Sequence, residues 1–193
     1  MESLQAKFLV ASPKLGDPNF FRTVVLMVQH DEEGAMGLVL TRPSDMTMKA
    51  VLSQIEASDE TAPLPYDPDL PNMELPIFVG GPVPGPLIAV HDLLDYSESE
   101  VMPGLYVATQ RATLHRLLES DATIRLFSGY SGWSAGQLED ELRLGGWLIY
   151  DATPQLVLSD PDSLWDTLVG RIGREILGLR GFERHLPDDP SVN

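Results

Sequence analysis

Phe127-Ser128-Gly129-Tyr130-Ser131-Gly132-Trp133-Ser134-Ala135-Gly136-Gln137-Leu138-Glu139-Asp140-Glu141-Leu142-Arg143-Leu144-Gly145-Gly146-Trp147-Leu148 packs a strand, a glycine-rich break, a helix and a second strand into 22 residues. The apolar run 124–127 predicts a strand. Gly129 and Gly132 supply backbone angles that other residues avoid, so 128–132 reads as a turn. Ser134 stands three residues before Gln137, the spacing of a capping box in which each side chain satisfies the other's backbone N–H. Leu138 and Leu142 then share one face of an amphipathic helix, with Glu139, Asp140 and Glu141 around them. Gly145-Gly146 ends the helix, and 147–150 resumes as a strand.

The chain on either side alternates in the same way. Residues 8–11 predict a strand, followed by a loop forced by Pro13, Gly16 and Pro18. Residues 21–28 form a nearly continuous apolar run, the mark of a buried central strand. An acidic turn at 31–34 then leads to a strand over 37–40, which makes an antiparallel hairpin. Thr47 caps a short helix carrying Met48, Val51, Leu52 and Ile55 at helical spacing. Residues 56–76 read as an exposed, acidic, proline-rich loop. Strands follow at 77–79 and 87–91, with a turn at Gly80-Gly81-Pro82. An acidic loop covers 92–103 and a strand 104–108. Thr109 caps a helix carrying Leu114, Leu117 and Leu118. Asp160-Pro161 starts the last helix, with Leu164, Leu168, Val169, Ile172 and Ile176 on one face. This mixture predicts a single α+β domain over 1–178, with a mixed, mostly antiparallel sheet and helices packed on it, and a flexible tail over 179–193.

Composition bounds the function. The chain has 193 residues, 43% of them hydrophobic and 22% charged, as expected for one globular domain. Lys+Arg 13 against Asp+Glu 29 gives a net charge of −16, which repels phosphate backbones. With no cysteine there is no thiolate nucleophile and no disulfide framework. Residues 8–11 are too short an apolar run for a signal peptide or a membrane span, so a cytoplasmic protein is expected.

Four clusters bear on chemistry. The turn from Gly129 to Gly136, opening onto a helix, suggests an anion or ligand pocket. Against it, the glycines and Trp133 also suit plain packing, and Glu139, Asp140 and Glu141 oppose a bound phosphate. Gly-Tyr-Ser-Gly is no nucleophile elbow, because Trp133 stands where the second glycine is needed. Asp17 and Arg22 read either as an ion pair pinning a loop or as an arginine left to hold an anionic ligand. Gly34-Ala35-Met36-Gly37 is either a backbone nest or a hairpin turn with Met36 packed inward. His30 and His91 each precede an aspartate, but adjacent strand residues face opposite ways and no helical histidine pair exists, so no metal site is expected.

Three separated motifs carry a resemblance. The stretch 127–148 resembles the GYxGWxxGQLExEL signature of the YqgE/AlgH family. Residues 8–13, Asp17-Pro18, Phe20, Arg22 to Val25, His30, 34–40 and Arg42-Pro43 look like its first motif, and Gly80-Gly81-Pro82-Val83 like its second. The resemblance covers residues 4–178. It implies a bifurcated sheet curled into a partial barrel, in bacterial proteins labelled transcriptional regulators, without a defined reaction. Asp17, Arg22, His30, Gly80, Gly81, Gly129, Trp133, Gly136, Gln137 and Glu139 match motif positions whose roles the resemblance leaves open. Ser131 departs from the alanine common there, which counts against an obligatory nucleophile. Pro84-Gly85-Pro86 stands where relatives carry a basic stretch, and the 56–76 insert is long.

The expected function is a regulatory or binding module acting through a protein partner or a small anionic ligand, without direct DNA contact. The alternative is an enzyme or phosphate-ester binder built on Arg22, Gly129, Ser131, Trp133, Ser134 and Gly136. A DNA-binding regulator is the weaker third reading, since four arginines within 171–184 are interrupted by glutamates. No catalytic residue, metal or cofactor is assigned, and the sequence does not decide the oligomeric state.

Overall fold

The computed structural model describes residues 3–51, 53 and 70–178. Its strands are β1 (Lys7–Ala11), β2 (Val24–Asp31), β3 (Gly34–Val39), β4 (Pro43–Thr47), β5 (Pro76–Val79), β6 (Val83–His91), β7 (Ser99–Met102), β8 (Leu105–Ala108), β9 (Ile124–Ser134) and β10 (Trp147–Asp151). The helices are α1 (Arg111–Glu119), α2 (Gln137–Arg143), α3 (Pro154–Val157) and α4 (Pro161–Ile176), with helical residues at 48–51 as well. The sheet order is β10-β1-β2-β3-β9-β6-β8-β7. The chain is an α+β domain whose mostly antiparallel sheet curls into a partial barrel.

Strand β9 is where the sheet divides. Its first half pairs in parallel with β5, at Ile77↔Leu126 through Val79↔Ser128. Its second half pairs antiparallel with β3, at Gly34↔Ser134 through Gly37↔Ser131. Strand β6 runs along its other side. This is the bifurcation, and it corrects the expectation of a turn at 128–132: those residues continue the strand. Their burial alternates as in any half-buried strand, with Gly129, Ser131 and Trp133 inward and Ser128, Gly132 and Ser134 outward. The small residues are needed because the link from β5 to β6 crosses directly over the backbone. A Cβ on Gly80 would lie 2.2 Å from the Gly129 carbonyl oxygen, and one on Gly81 would lie 2.3 Å from the Tyr130 carbonyl. Gly129 itself is left-handed, at φ +71. The Pro84-Gly85-Pro86 segment lies within the register shift of β6 against β9, between Val83 and Leu87.

Three apolar clusters pack this sheet. Phe8, Leu26, Leu38, Phe127, Leu105 and the inner face of α4 (Leu164, Leu168, Ile172) form one. Leu9, Val25, Trp133, Leu138 and Trp147 form a second under α2. Met48, Ile77, Leu117, Leu118 and Leu126 form a third under α1. Each fully buried Leu, Ile or Phe contributes about 1.5–3 kcal/mol.

Several boundaries differ from expectation for local reasons. β2 begins at Val24 because Arg22 adopts φ +54, which leaves Phe21 61% exposed. The expected 92–103 loop contains β7 and a 3-10 turn, Leu94–Tyr96. Thr47 does cap the helical residues after it, accepting from Ala50 N–H at 3.3 Å, but it also ends strand β4. Thr109 does not cap α1. The Glu98 carboxylate does so from outside, accepting from Thr109 N–H at 2.8 Å and Gln110 N–H at 3.0 Å. Burial pushes the Glu98 carboxyl up, but these hydrogen bonds outweigh it and leave the group below the usual carboxylate range. Of the expected 56–76 loop, 56–69 lies outside the described residues. Its end is docked rather than exposed, with Met73 buried and Leu70 and Leu75 packed on the α1 cluster. The expected tail, 179–193, also lies outside the described residues.

Candidate functional site

The turn from β9 into α2 builds the site. Gly136 takes a left-handed conformation, φ 78 and ψ −12, and becomes the N-cap of α2. The expected capping box is half formed. Ser134 N–H donates to Gln137 Oε1 at 3.1 Å, but the helix starts at Gln137, too late for Ser134 to cap it. One face of α2 then supplies Leu138 to the core and Glu141 to the tryptophans. Glu141 Oε2 accepts from Trp133 Nε1–H at 3.0 Å and from Trp147 Nε1–H at 2.8 Å. Phe20 stacks on Trp133 and meets Trp147 edge-on, with ring centroids 6.0 and 5.2 Å apart. The network pins α2 to the ends of β9 and β10.

So pinned, α2 faces the end of β2 across a cleft of about 400 Å³. Ser3, His30, Asp31, Glu32, Gly136, Glu139 and Arg143 line it. His30 is the centre. Its Nδ1 accepts from Leu4 N–H at 2.9 Å and its Nε2 contacts Glu139 Oε1 at 2.9 Å. Because Nδ1 accepts, the proton of a neutral ring sits on Nε2 and is donated to Glu139. Neither ring nitrogen is left as a free base. Hydrogen bonds from its own backbone N–H and from His30 hold the Glu139 carboxyl below the usual range. Asp31 is lowered in turn by Gln29 Nε2–H and by Glu33 N–H. The cleft thus presents ionised Asp31 and Glu139 beside Glu32. Arg143, the cation on its rim, pairs with Asp140 at 2.6 Å.

The residues singled out from the sequence divide. His30, Gly136 and Glu139 converge on this cleft from distant parts of the chain. The others do not join them. Ser131 is fully buried and donates its hydroxyl to the Gly80 carbonyl at 3.2 Å, while Gly129 and Gly81 sit where backbones cross. Trp133 is committed to Glu141. The Asp17–Arg22 pair does not form. Asp17 accepts from Asn19 N–H at 2.8 Å, closing its own turn. Arg22 reaches Asp166 on α4 at 2.7 Å and lies 4.5 Å over the Trp165 ring. Of the two readings of 34–37, packing is the one seen: the segment is strand, and Met36 packs against the core. His91 and Asp92 diverge as expected, with Asp92 accepting from Thr123 N–H at 3.0 Å. Ser3, Arg143 and Glu141 join the site without belonging to any of the four clusters marked in the sequence. The signal for Glu141 was its place among the fixed spacings of Trp133, Gln137 and Trp147.

A branched α+β half-barrel with this motif-lined cleft defines a class, and comparison with known proteins gives it a family. The sequence model of AlgH-like proteins matches residues 8–177, and the chain belongs to that family. It is 36% identical to a UPF0301 protein of Myxococcus xanthus over 177 residues, covering 90% of this chain and 93% of the relative. It is 37% identical to one from Xanthomonas campestris over 192 residues, covering 94% and 96%. Its fold is similar to the solution structure of AlgH from Pseudomonas aeruginosa, with TM-score 0.73, 32% identity, and 93% and 94% of the two chains covered. The crystal structure of a Corynebacterium diphtheriae protein shares the fold at TM-score 0.69 and 21% identity, with 89% and 87% covered. No helix among the described residues is long and apolar enough to cross a membrane.

Proposed function

We propose that this chain is a non-catalytic binding module that works through a protein partner, seating a cationic group of that partner in the His30–Glu139 cleft, without direct contact to DNA. The observation that carries the reading is the convergence of His30, Gly136 and Glu139 on a cleft whose other charges are Asp31, Glu32 and one arginine already paired. Such a cleft attracts an ammonium or guanidinium and repels phosphate. The net charge of −16 works the same way over the whole surface, steering basic partners inward and nucleic acid away.

The alternative, an enzyme or phosphate-ester binder using Arg22 and the segment from Gly129 to Gly136, has less support. Arg22 is occupied by Asp166 and Trp165, residues 129–134 are strand backbone rather than an open turn, and the Glu139 N–H at the start of α2 is taken by that residue's own carboxylate. Both His30 ring nitrogens are already hydrogen-bonded, and the Ser131 hydroxyl is committed to the Gly80 carbonyl.

The test is an amide NMR titration with arginine amide, and with inorganic phosphate as the comparator. Arginine amide is expected to shift the Asp31, Gly136, Glu139 and Arg143 signals in a saturable way. The double variant Asp31→Asn/Glu139→Gln, which keeps an acceptor for His30, is expected to weaken binding by about fivefold or more, roughly 1 kcal/mol. Shifts of these amides by phosphate, and none by arginine amide, would overturn the reading.

A further inference from the structure

At the far end of the sheet β10 is an edge, and its one strand neighbour among the described residues is β1. The register says which backbone groups face outward. Ser12 N–H donates to the Gly146 carbonyl and Ala152 N–H to the Ala6 carbonyl, in line with the pairing Lys7↔Asp151 through Ala11↔Trp147. Antiparallel ladders alternate bonded and non-bonded pairs. Leu148 and Tyr150 therefore turn their N–H and C=O groups to β1, while Trp147, Ile149 and Asp151 turn theirs away from the sheet. Such an edge is a template for another strand.

The edge also borders a groove of about 540 Å³, lined by Ile149, Tyr150 and Asp151, by Leu156, and by Arg171 and Glu175 of α4. Ile149 is 45% exposed, an apolar side chain standing in the middle of the open strand. Backbone groups that need partners, an apolar side chain that needs cover, and a trough of this size beside them are the three parts of a strand-addition site.

We propose that the β10 edge takes an extended, lysine- or arginine-bearing segment of a partner protein as an added strand. Main-chain hydrogen bonds to Trp147, Ile149 and Asp151 hold the segment, an apolar residue covers Ile149, and a basic residue joins Lys7 at the Asp151 carboxylate, whose side chain is 81% exposed. Charge selects the occupant. A second copy of this chain would bring −16 against −16, whereas a basic segment is drawn in by the same field. The surface is separate from the His30–Glu139 cleft and shares no lining residue with it.

The experiment uses the full chain and a fluorescein-labelled heptapeptide alternating lysine and valine, read by fluorescence anisotropy at low salt. Saturable binding is expected. Ile149→Pro removes the outward N–H together with the isoleucine side chain that the added strand covers, and leaves the ladder donors at Leu148 and Tyr150, a substitution that sheet edges accept. It should weaken binding by about tenfold or more, with the circular dichroism spectrum unchanged. If that variant does not fold, peptides N-methylated at alternate amides carry the test: one of the two methylation registers should lose binding and the other keep it. Four results would overturn the proposal. They are no binding, equal binding of both methylated registers, binding that Glu139→Gln reduces and Ile149→Pro does not, and concentration-dependent self-association that Ile149→Pro abolishes.

Discussion

The two strand-end histidines look alike in sequence and live in opposite conditions. His30-Asp31 ends β2 under α2, and both ring nitrogens are hydrogen-bonded. His91 ends β6 beside Tyr106, just before Asp92, fully buried, and neither ring nitrogen makes a well-formed hydrogen bond among the described residues, the Leu93 backbone giving only a weak contact. The contrast extends to their surroundings. Around α2 the buried polar groups are satisfied: two indole N–H groups by one carboxylate and the Ser131 hydroxyl by a carbonyl. On the β6 side, Arg125 is buried against the Phe78 ring with its NH2 on the Ser159 carbonyl and its NH1 unbonded among the described residues. Burial lowers its pKa to about 10, with Asp160 working the other way. The difference teaches where polarity serves the fold. In the α2 region removing a polar partner should be costly, whereas in the β6 region removing the polar group itself should cost little.

The largest effect that would break the comparison is at Glu141. Glu141→Ala leaves the Trp133 and Trp147 indole N–H groups buried without an acceptor, and each such donor costs about 1–3 kcal/mol. The expected loss is therefore about 2–6 kcal/mol in urea unfolding, while Glu141→Gln, which keeps one acceptor, should lose less than half of it. A loss under about 0.5 kcal/mol for the alanine variant would mean the network does not hold α2.

The next effect is the pH response of His91. Burial lowers its folded pKa below the ordinary 6.5, and the charges of Asp92 and Glu98 offset this only in part. The unfolded chain therefore takes up the proton first. The stability that uncharged His91 contributes is complete above about pH 6.5 and falls as pH drops below it, at up to about 1.4 kcal/mol per pH unit. Asp31 and Glu139, also lowered, lose their contributions only as pH falls below the ordinary carboxylate values of 3.8 and 4.5, outside that window. Unfolding measured from pH 7 to 5 should show this slope, and His91→Leu should flatten it. A slope unchanged in that variant would assign the response to another group.

The smallest effect sharpens the comparison. Arg125→Met keeps the apolar stem against Phe78 and removes a buried, incompletely bonded cation. It should leave stability within about 1 kcal/mol of the original, on either side. A loss above about 3 kcal/mol would show that the Ser159 and Asp160 contacts outweigh the burial of the charge.

Much of this molecule was written locally. The β2–β3 hairpin follows from an apolar run, an acidic turn and a second apolar run. The start of α4 follows from Asp160-Pro161, whose aspartate accepts from Asp162 N–H as an N-cap should. The inner face of α4 follows from Leu164, Leu168 and Ile172 at helical spacing, with Val169 partly buried beside them, although Ile176, expected on the same face, is 74% exposed at the helix end, and the family was legible in three motifs. These local features rest on the immediate choice between core and water, since apolar periodicity records that choice residue by residue.

Tertiary structure alone decided the rest. Residues 128–134 carry the glycine and serine of a turn, yet form half of the central strand, because the β5–β6 link passes too close to the backbone for larger side chains. Arg22 passed over Asp17, five residues away, for Asp166, 144 residues on, since its left-handed backbone accompanies a side chain laid over Trp165. His30 met Glu139 across 109 residues, and His91, with the same neighbour in sequence, met no side-chain hydrogen-bond partner among the described residues. Charge, size and turn propensity specify what a side chain can bond to. Which partner it finds depends on where distant strands and helices bring their polar atoms, and that placement is a property of the packed sheet rather than of any short stretch of chain.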